Sequence, residues 1–171
     1  MGGGNDDIPG GFMLDGLDPA FAYTLRFFGS RRNTQTRVTE YRVTGANSGM
    51  ATLQTTGFNI GADGAYDGND DTFGVVGGIR PDAFGQIFVD LTLLQGPFAY
   101  INALELTAQQ PGDWDADGDV DAGDALGFIA CLAGPGQTPF SPDCLSVFDA
   151  DFDDDIDLGD FAGFARLAGT F

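Results

Sequence analysis

The sequence predicts an α+β protein, with an N-terminal antiparallel β-sandwich (jelly-roll-like) followed by a small C-terminal domain of two loop–helix units. Two observations lead to this division. Residues 20–108 of the 171-residue chain are rich in Thr, Val, Phe and Gly, whereas residues 113–171 hold two Asp-rich windows, each followed by an apolar segment. Residues 109–112 (QQPG) mark the change and form the expected linker. Residues 1–19, rich in Gly, Asp and Pro, are expected to be an arm.

The β-sandwich is predicted from short apolar runs that lie between turn signals. Apolar residues alternate at period two in Tyr23, Leu25 and Phe27, and again from Ile87 to Leu93. Such alternation is typical of strands with one buried face. The predicted strands are 22–29, 36–44, 51–58, 72–79, 86–94 and 99–107. Six strands are few for a sandwich and leave edges to be covered.

Composition excludes several functional classes. The formal charge is −19, all seven cations are Arg, and 24 of the 26 acids are Asp, with no Lys and no His. Without His, neither Ser-His-Asp nor Cys-His catalysis nor a His-ligated zinc site is available. A strongly acidic chain without a basic stripe is not expected to bind nucleic acid. No apolar run approaches the ~20 residues of a membrane span. We therefore expect a protein that is not an enzyme.

Half of the acids fall in two twelve-residue windows, DWDADGDVDAGD (113–124) and DADFDDDIDLGD (149–160). Calcium takes oxygen ligands, and a twelve-residue loop supplies them from positions 1, 3, 5, 7, 9 and 12, with position 7 binding through its backbone carbonyl. The sequence thus predicts two Ca²⁺ sites. The predicted ligands are Asp113, Asp115, Asp117, Asp119, Asp121 and Asp124 in loop 1, and Asp149, Asp151, Asp153, Asp155, Asp157 and Asp160 in loop 2.

The two windows differ at position 6. Loop 1 has Gly118, which permits a sharp turn, whereas loop 2 has Asp154, which adopts a left-handed backbone only at some cost. Loop 2 is therefore expected to be somewhat strained or weaker. At position 8, Val120 and Ile156 are expected to point inward and to pair the two loops.

The segments after the windows also repeat. GDALGFIACLAG (123–134) aligns with GDFAGFARLAGT (159–170), and each carries an apolar stripe at helical spacing. No helix is predicted to enter either loop. The predicted stripes are Ala125, Leu126, Ile129 and Leu132 in the first segment, and Phe161, Phe164, Ala165 and Ala168 in the second.

This duplicated pattern of DxDxDGDxDxxD and an apolar helix resembles the dockerin family (type I-like), in its planctomycete form. The resemblance implies two structural calcium ions and docking to a cohesin-like partner. In that family, loop residues 10 and 11 largely choose the partner. Here these are Ala122-Gly123 and Leu158-Gly159 rather than hydroxyl or charged pairs, so a cellulosomal partner is not expected. The alternative to this interpretation is an acidic, disordered tail.

Cys131 and Cys144 flank the segment 132–143, which is rich in Gly and Pro. In an extracellular protein, two cysteines across a short loop are expected to form one disulfide. The alternative is a pair of buried thiols in a reducing compartment. The calcium chemistry favours the disulfide and a secreted, extracellular or cell-surface location.

The β-region also resembles a known module. TLRFFGSRRNTQTRVTEYRVTG, GADGAYDGNDD and GIRPDAFGQIFVDLTL…FAYINALEL are similar to a β-module of secreted planctomycete surface and accessory proteins. Within it, Arg31, Arg32, Arg37 and Arg42 form either a patch for an acidic glycan or, as we prefer, a solvated strand face. A polar loop either binds a third cation or, as we prefer, is a plain loop that binds no ion. Its residues are Asp63, Asp67, Asn69, Asp70 and Asp71.

We expect a non-enzymatic extracellular structural or adhesion protein that mediates protein–protein assembly. A Gly-rich arm is disordered by itself, but it can add as a strand to the open edge of a neighbouring copy. Repeated head to tail, this contact would build a filament. The alternative function is a dockerin-bearing, carbohydrate-binding accessory module of a secreted hydrolase.

Overall fold

The computed structural model describes residues 10–62 and 64–169. Within these ranges the chain forms seven strands and three short helices, so antiparallel β-structure dominates. The strands are β1 (Gly10–Leu14), β2 (Ala22–Phe28), β3 (Arg37–Thr44), β4 (Ser48–Thr56), β5 (Gly74–Ile79), β6 (Ile87–Gln95) and β7 (Ala103–Gln109). The helices are α1 (Ala122–Cys131), α2 (Pro142–Phe148) and α3 (Leu158–Leu167).

The strands form two antiparallel sheets. One has the order β1-β6-β3-β4 and the other the order β5-β2-β7. The predicted period of two is observed, since side chains of β2 and β3 alternate between buried and more exposed positions. Phe27 of the three-stranded sheet stacks on Tyr41 of the four-stranded sheet, with ring centroids 4.5 Å apart. The inward-facing side chains of both sheets therefore share one hydrophobic core.

The N-terminal arm is the first place where the structure corrects the prediction. Gly10–Leu14, inside the expected arm 1–19, pair antiparallel with β6 in a register that sets Phe12 opposite Val89. Phe12 and Leu14 pack against the core, so this strand covers the edge that the six predicted strands leave open. A five-residue strand beginning with two glycines has too weak a pattern to be found by periodicity. Residues 1–9 of the arm lie outside the described residues.

The C-terminal region has its own small core. Phe128 contacts Phe148 of α2 and Phe164 of α3, with centroids 5.3 and 5.4 Å apart. Cys131 and Cys144 are joined by a disulfide and are buried in this cluster, with Cα atoms 5.5 Å apart. The cross-link ties α1 to α2 across the Gly/Pro-rich segment.

Helix α2 corrects a second expectation, because it leads directly into loop 2, where no entering helix was predicted. Ser141 caps it by accepting a hydrogen bond from the backbone N–H of Asp143 at 3.2 Å. Pro142 lies in the first turn, where a missing N–H costs nothing. Seven residues following a Gly/Pro-rich stretch are too short for a helical period to be evident in the sequence.

Three of the four residues in the predicted apolar stripe of the first helical segment face outward, and only Ala125 packs against the core. Leu126 and Ile129 are 72% and 66% exposed, whereas Phe128 and Cys131 are buried. The disulfide holds Cys131 against the core. Residues on the same face of α1 as Cys131, such as Phe128, are therefore turned inward. On α3, Phe164 is buried as expected, but Phe161 is 47% exposed. In the part of the chain that the structure describes, no helix has the length and apolar character needed to cross a membrane.

The two regions meet at the end of β5. The Arg80 guanidinium donates to the backbone carbonyl of Asp149 at 3.2 Å and lies 4.5 Å from the ring centroid of Phe152. Gly78, with φ +70°, lies against α2, because a Cβ there would sit 3.4 Å from Cβ of Ser146. Loop 2 therefore rests on the β-sheets through Arg80, and loop 1 is bonded to them through the side chain of Gln109 in β7, which donates to the Asp113 carbonyl.

Candidate metal centres

Each Asp-rich window folds into a tight loop in which carboxylates accept hydrogen bonds from the loop's own backbone N–H groups. In loop 1, the N–H of Gly118 donates to the Asp113 carboxylate at 3.2 Å; in loop 2, the N–H of Asp154 donates to Asp149 at 3.3 Å. Position 6 thus bonds to position 1 in both loops. The N–H at position 7 likewise donates to the carboxylate at position 5 in each. Two stretches of different sequence therefore adopt the same local hydrogen-bond pattern.

The carboxylates at position 12, Asp124 and Asp160, close the loops and are fully buried. Asp124 accepts from the N–H of Trp114 at 2.6 Å and from that of Asp121 at 2.7 Å. Asp160 accepts from Ala150 and from position 9 of loop 2 at 2.7 and 2.8 Å. Each carboxylate therefore reaches from the first turn of its helix back to the start of its loop.

Position 9 starts the helix in both loops. Asp121 accepts from the N–H of Gly123, and Asp157 from that of Gly159, each at 2.6 Å. Together with the acid at position 12 they form a reciprocal capping box at each helix N-terminus. Gly at position 11 lies close to the carboxylate of position 3, since a Cβ on Gly159 would approach Asp151 Oδ2 to 2.7 Å. The aspartates thus specify the helix start as well as any ion.

The folded loops bring carboxylate oxygens together in groups of three, all within 4.8 Å of one another. Such spacing suits one hard cation with oxygen ligands. The four groups are Asp113–Asp115–Asp124 and Asp119–Asp121–Asp124 in loop 1, and Asp149–Asp151–Asp160 and Asp153–Asp155–Asp160 in loop 2. Ten of the twelve predicted ligands thus belong to a group.

Two predicted ligands, Asp117 and Asp157, lie outside these groups. The Asp117 carboxylate accepts from the N–H of Asp119 at 3.1 Å, and Asp157 is held by its capping bond. The side chain of Asp119 joins a group, although its position was expected to contribute only a backbone carbonyl.

A test of fit for a cation comes from the buried oxygens. Asp113 is buried, and its Oδ1 has no hydrogen-bond partner among the residues that the structure describes. Asp155 Oδ1 is in the same situation. A buried carboxylate oxygen without a donor is unfavourable. Both atoms belong to residues of the carboxylate groups, so a bound cation would satisfy them.

Electrostatics in the metal-free loops also favour a cation. Desolvation, reinforced by the charges of Asp117 and Asp124, raises the pKa of Asp115. The charge of Asp117 is the main cause that raises the pKa of Asp119. In loop 2, desolvation raises the pKa of Asp149, and desolvation with the charge of Asp160 raises the pKa of Asp151. The loops therefore bind protons more readily than isolated aspartates when no metal neutralises them.

The backbone shows the expected difference at position 6, and a feature that sequence reasoning missed. Gly118 has φ +100° and Asp154 has φ +65°, so loop 2 places a non-glycine residue in the left-handed region. Position 4 is left-handed in both loops as well, with Ala116 at +60° and Phe152 at +66°. Neither residue favours this region, so sequence alone did not reveal it. The only sequence signal for this feature is that the two residues occupy the same position in two equally spaced loops.

Position 8 is occupied by apolar side chains that both contact the small core. Ile156 is fully buried and Val120 partly buried. The carbonyl of Ile156, however, accepts from the N–H groups of Ala133 and Gly134 at 3.0 and 3.1 Å. The two loops are thus linked through side chains and through the segment after α1.

In the polar loop that was considered as a third cation site, the acidic side chains accept hydrogen bonds from the loop's own backbone. Asp67 accepts from the N–H of Asn59 and Asp70 from that of Ala62, at 3.3 and 2.8 Å. Asn69 is buried and bonds to backbone groups on both sides. Its described residues form no group of three clustered acids, and Asp63 lies outside the described residues.

The Arg patch does not behave as one solvated face. Arg42 is exposed and pairs with Glu40 at 3.2 Å, as a solvated strand residue would. Arg37, in contrast, is only 5% exposed, which contradicts the expectation for that residue. Arg31 donates to the hydroxyl of Tyr100 at 3.2 Å.

Comparison of the chain with protein-family models, with curated proteins and with solved structures gave no match. The functional argument therefore rests on the loops and surfaces themselves.

Proposed function

We propose that this chain is a non-enzymatic extracellular structural or adhesion protein that uses two structural calcium ions to fold a dockerin-like assembly domain. One observation carries the proposal: the two loops share the same hydrogen-bond pattern, and in each the carboxylate oxygens of positions 1, 3 and 12 lie within 4.8 Å of one another. An acidic surface segment without a ligand has no reason to repeat this geometry twice. The two Ca²⁺ ions would each be held by one loop.

Calcium would act on folding rather than on a substrate. Carboxylates within 4.8 Å of one another repel strongly, and a cation converts this repulsion into binding energy that stabilises the folded loop. The carboxylates at position 12 already hold the loop backbone, so a bound ion is tied directly to both helix starts. No His is present to serve as a general base, which supports a structural role.

The domain organisation that we propose is a jelly-roll-like β-sandwich at 20–108, extended by β1, with the dockerin-like domain at 113–171. Separate hydrophobic cores in the two regions support this division. The disulfide between Cys131 and Cys144 supports an extracellular or cell-surface location.

A docking surface for the assembly is available on the first and third helices. Leu126 and Ile129 of α1 are 72% and 66% exposed, and Leu158 and Phe161 of α3 are 77% and 47% exposed. Phe161 lies 5.6 Å from Phe128 of α1, so the two helices are neighbours. Adjacent exposed apolar side chains mark interaction sites more often than inert surface. We propose that this face receives a protein partner, either cohesin-like or a second copy.

Self-assembly has a structural route through β1. This short strand lies at the sheet edge and, among the strands that the structure describes, pairs with β6 alone. A neighbouring copy can offer the same strand in the same register, so an exchange loses few contacts. We propose that head-to-tail exchange of β1 builds a filament.

Electron microscopy and light scattering of the purified chain, with calcium and with chelator, test this function. We expect assemblies that form through the helix face to dissociate in chelator, whereas a filament built by exchange of β1 should persist. Leu126→Glu should weaken association, whereas Phe84→Glu, an equally exposed site on the β-region (82% exposed), should not. A monodisperse monomer in calcium that binds no cohesin-like partner would refute assembly as the function.

A further inference from the structure

At the end of the β-sheets opposite the calcium loops, two arginines converge on one neutral oxygen. Nη1 of Arg31 donates to the hydroxyl of Tyr100 at 3.2 Å, and Nη1 of Arg37 donates to the same hydroxyl. Both guanidinium groups also lie near the Tyr100 ring, 6.0 and 5.5 Å from its centroid. Among the described residues, neither of these two like charges forms an ion pair with a carboxylate.

Arg37 is the less usual of the two. It is 5% exposed, its Nε has no hydrogen-bond partner among the described residues, and Nη2 reaches only the amide oxygen of Gln35 at 3.4 Å. The ion pairs within the described ranges use other arginines, Arg26 with Glu105 and Arg42 with Glu40. A buried cation is normally paired, because desolvation of an unpaired charge is costly.

The hydroxyl of Tyr100 completes a set of donors. It accepts from both arginines, so its own proton is free to be donated outward. The backbone around it is fixed, since the N–H of Tyr100 donates to Thr39 at 3.1 Å and its carbonyl accepts from Tyr41. Arg31 is exposed and Tyr100 is half-buried, so an external group can reach this set.

The geometry points to a carboxylate-binding site at Arg31, Arg37 and Tyr100, and we propose that it binds the uronate groups of an acidic polysaccharide. A carboxylate would supply the missing anion and accept charge-assisted hydrogen bonds from the exposed side of the site. Phe98, 56% exposed, lies 6.5 Å from Tyr100 and 5.4 Å from the Arg37 guanidinium. Its ring offers a sugar an apolar face beside the charged anchor.

The surroundings favour a polysaccharide over the Asp-rich tail of another copy. The acidic loop that carries Asp67 and Asp70 borders the site, since the backbone carbonyl of Asp67 accepts from Asn33 at 3.2 Å. These acids would repel a dense cluster of carboxylates but tolerate spaced carboxylates on a sugar chain.

The test is binding of the full chain, in calcium, to polygalacturonate, measured by calorimetry and by affinity electrophoresis. We expect binding to polygalacturonate and about tenfold weaker binding to its methyl ester, which lacks the carboxylate charge. Arg31→Gln should weaken binding about tenfold without a change in melting temperature. Tyr100→Phe should weaken binding by a similar factor and also lower the melting temperature of the sheets, because buried Arg37 loses an acceptor. Arg32→Gln is the matched control, because it removes the same charge from the same loop but has no contact with Tyr100.

Several outcomes would overturn the site. If Arg31→Gln and Arg32→Gln weakened polymer binding equally, the attraction would come from diffuse charge and not from a specific site. Binding that disappears in chelator but survives Arg31→Gln would show that calcium in the tail bridges to the polymer. If Arg31→Gln abolished self-association and left polymer binding intact, the site would receive a second copy instead. Absence of binding, or equal binding to the methyl ester, would also refute it.

Discussion

The β-region and the C-terminal tail are stabilised in opposite ways. The core between the sheets consists of eleven buried residues, mostly aliphatic and aromatic, and its buried polar groups include three threonines. The hydrophobic core of the tail consists of seven buried residues, two of which form the disulfide. All its buried polar side chains among the described residues are aspartates, namely Asp113, Asp124, Asp149, Asp155 and Asp160. One region is thus held by apolar contacts and the other depends on a cross-link and on its acids.

This difference teaches that stability in one chain can be unconditional in one part and conditional in another. Burial of apolar area stabilises the sheets whatever ions are present. The tail buries fewer apolar residues than the sheets, and its clustered carboxylates repel one another where no cation offsets their charge. We therefore expect the two regions to respond differently to the same change in conditions, and one experiment can measure both responses.

The largest expected effect is on removal of calcium. In chelator, we expect the tail to lose its helices while the sheets stay folded, because only the tail needs a cation to offset carboxylate repulsion. The measurement is thermal unfolding by circular dichroism and by fluorescence of Trp114, which lies in loop 1. In calcium, both regions should unfold on heating, whereas in chelator the helix signal should be lost before heating and only the sheet transition should remain. An unchanged melting curve would contradict the proposed calcium sites.

The second effect concerns the disulfide. Reduction of Cys131–Cys144, separated by 13 residues, should destabilise the tail by about 3 kcal/mol through loop-closure entropy. Chemical unfolding of the calcium-loaded chain with and without reductant measures this. The double variant Cys131→Ala with Cys144→Ala is the control and should not respond to reductant. If reductant shifted only the unfolding transition of the sheets, the disulfide would stabilise the β-region and not the tail, which would contradict the prediction.

The third effect probes the apolar region. Burial raises the pKa of Tyr41 to about 12 from its usual 10.0, so the folded state favours the neutral phenol. Its contribution is complete below pH 10 and is lost as pH rises toward 12. Tyr41→Phe should cost about 1 kcal/mol near pH 8, because the hydrogen bond to the Tyr100 carbonyl is lost.

Unfolding free energies of the sheet transition between pH 9 and 12 measure this dependence. They should fall in the wild-type chain and fall less in Tyr41→Phe. Equal slopes in the two proteins would show that other groups control alkaline stability.

The smallest effect compares the two loops at position 6. Asp154→Gly should stabilise loop 2 by less than about 1 kcal/mol, because it relieves a left-handed backbone at φ +65°. Gly118→Asp should destabilise loop 1 by a similar amount, since a Cβ there meets no atom within 4 Å and only backbone strain remains. Calcium affinities of the two loops by calorimetry provide the measurement. Asp154→Asn controls for charge, and a gain as large as that of Asp154→Gly would assign the effect to charge.

Much of the fold was predictable from local patterns. The alternation from Tyr23 to Phe27 placed β2, and the spacing of the aspartates placed both loops and the starts of α1 and α3. These features depend on residues close in sequence. Strand β1 and helix α2 were missed because each is short and is stabilised by distant contacts, β1 by β6 and α2 by the disulfide.

The sequence by itself determined that this chain carries two oxygen-rich loops, a β-rich region and no histidine chemistry, because composition and spacing are local properties. Only the tertiary structure decided which face of α1 is buried, since the disulfide at Cys131 sets its rotation. It also decided that Arg80 rests on loop 2 and that Arg37 is buried beside Arg31 with no ion pair to a described residue. Such juxtapositions depend on how distant segments pack, and no pattern along the chain encodes them directly.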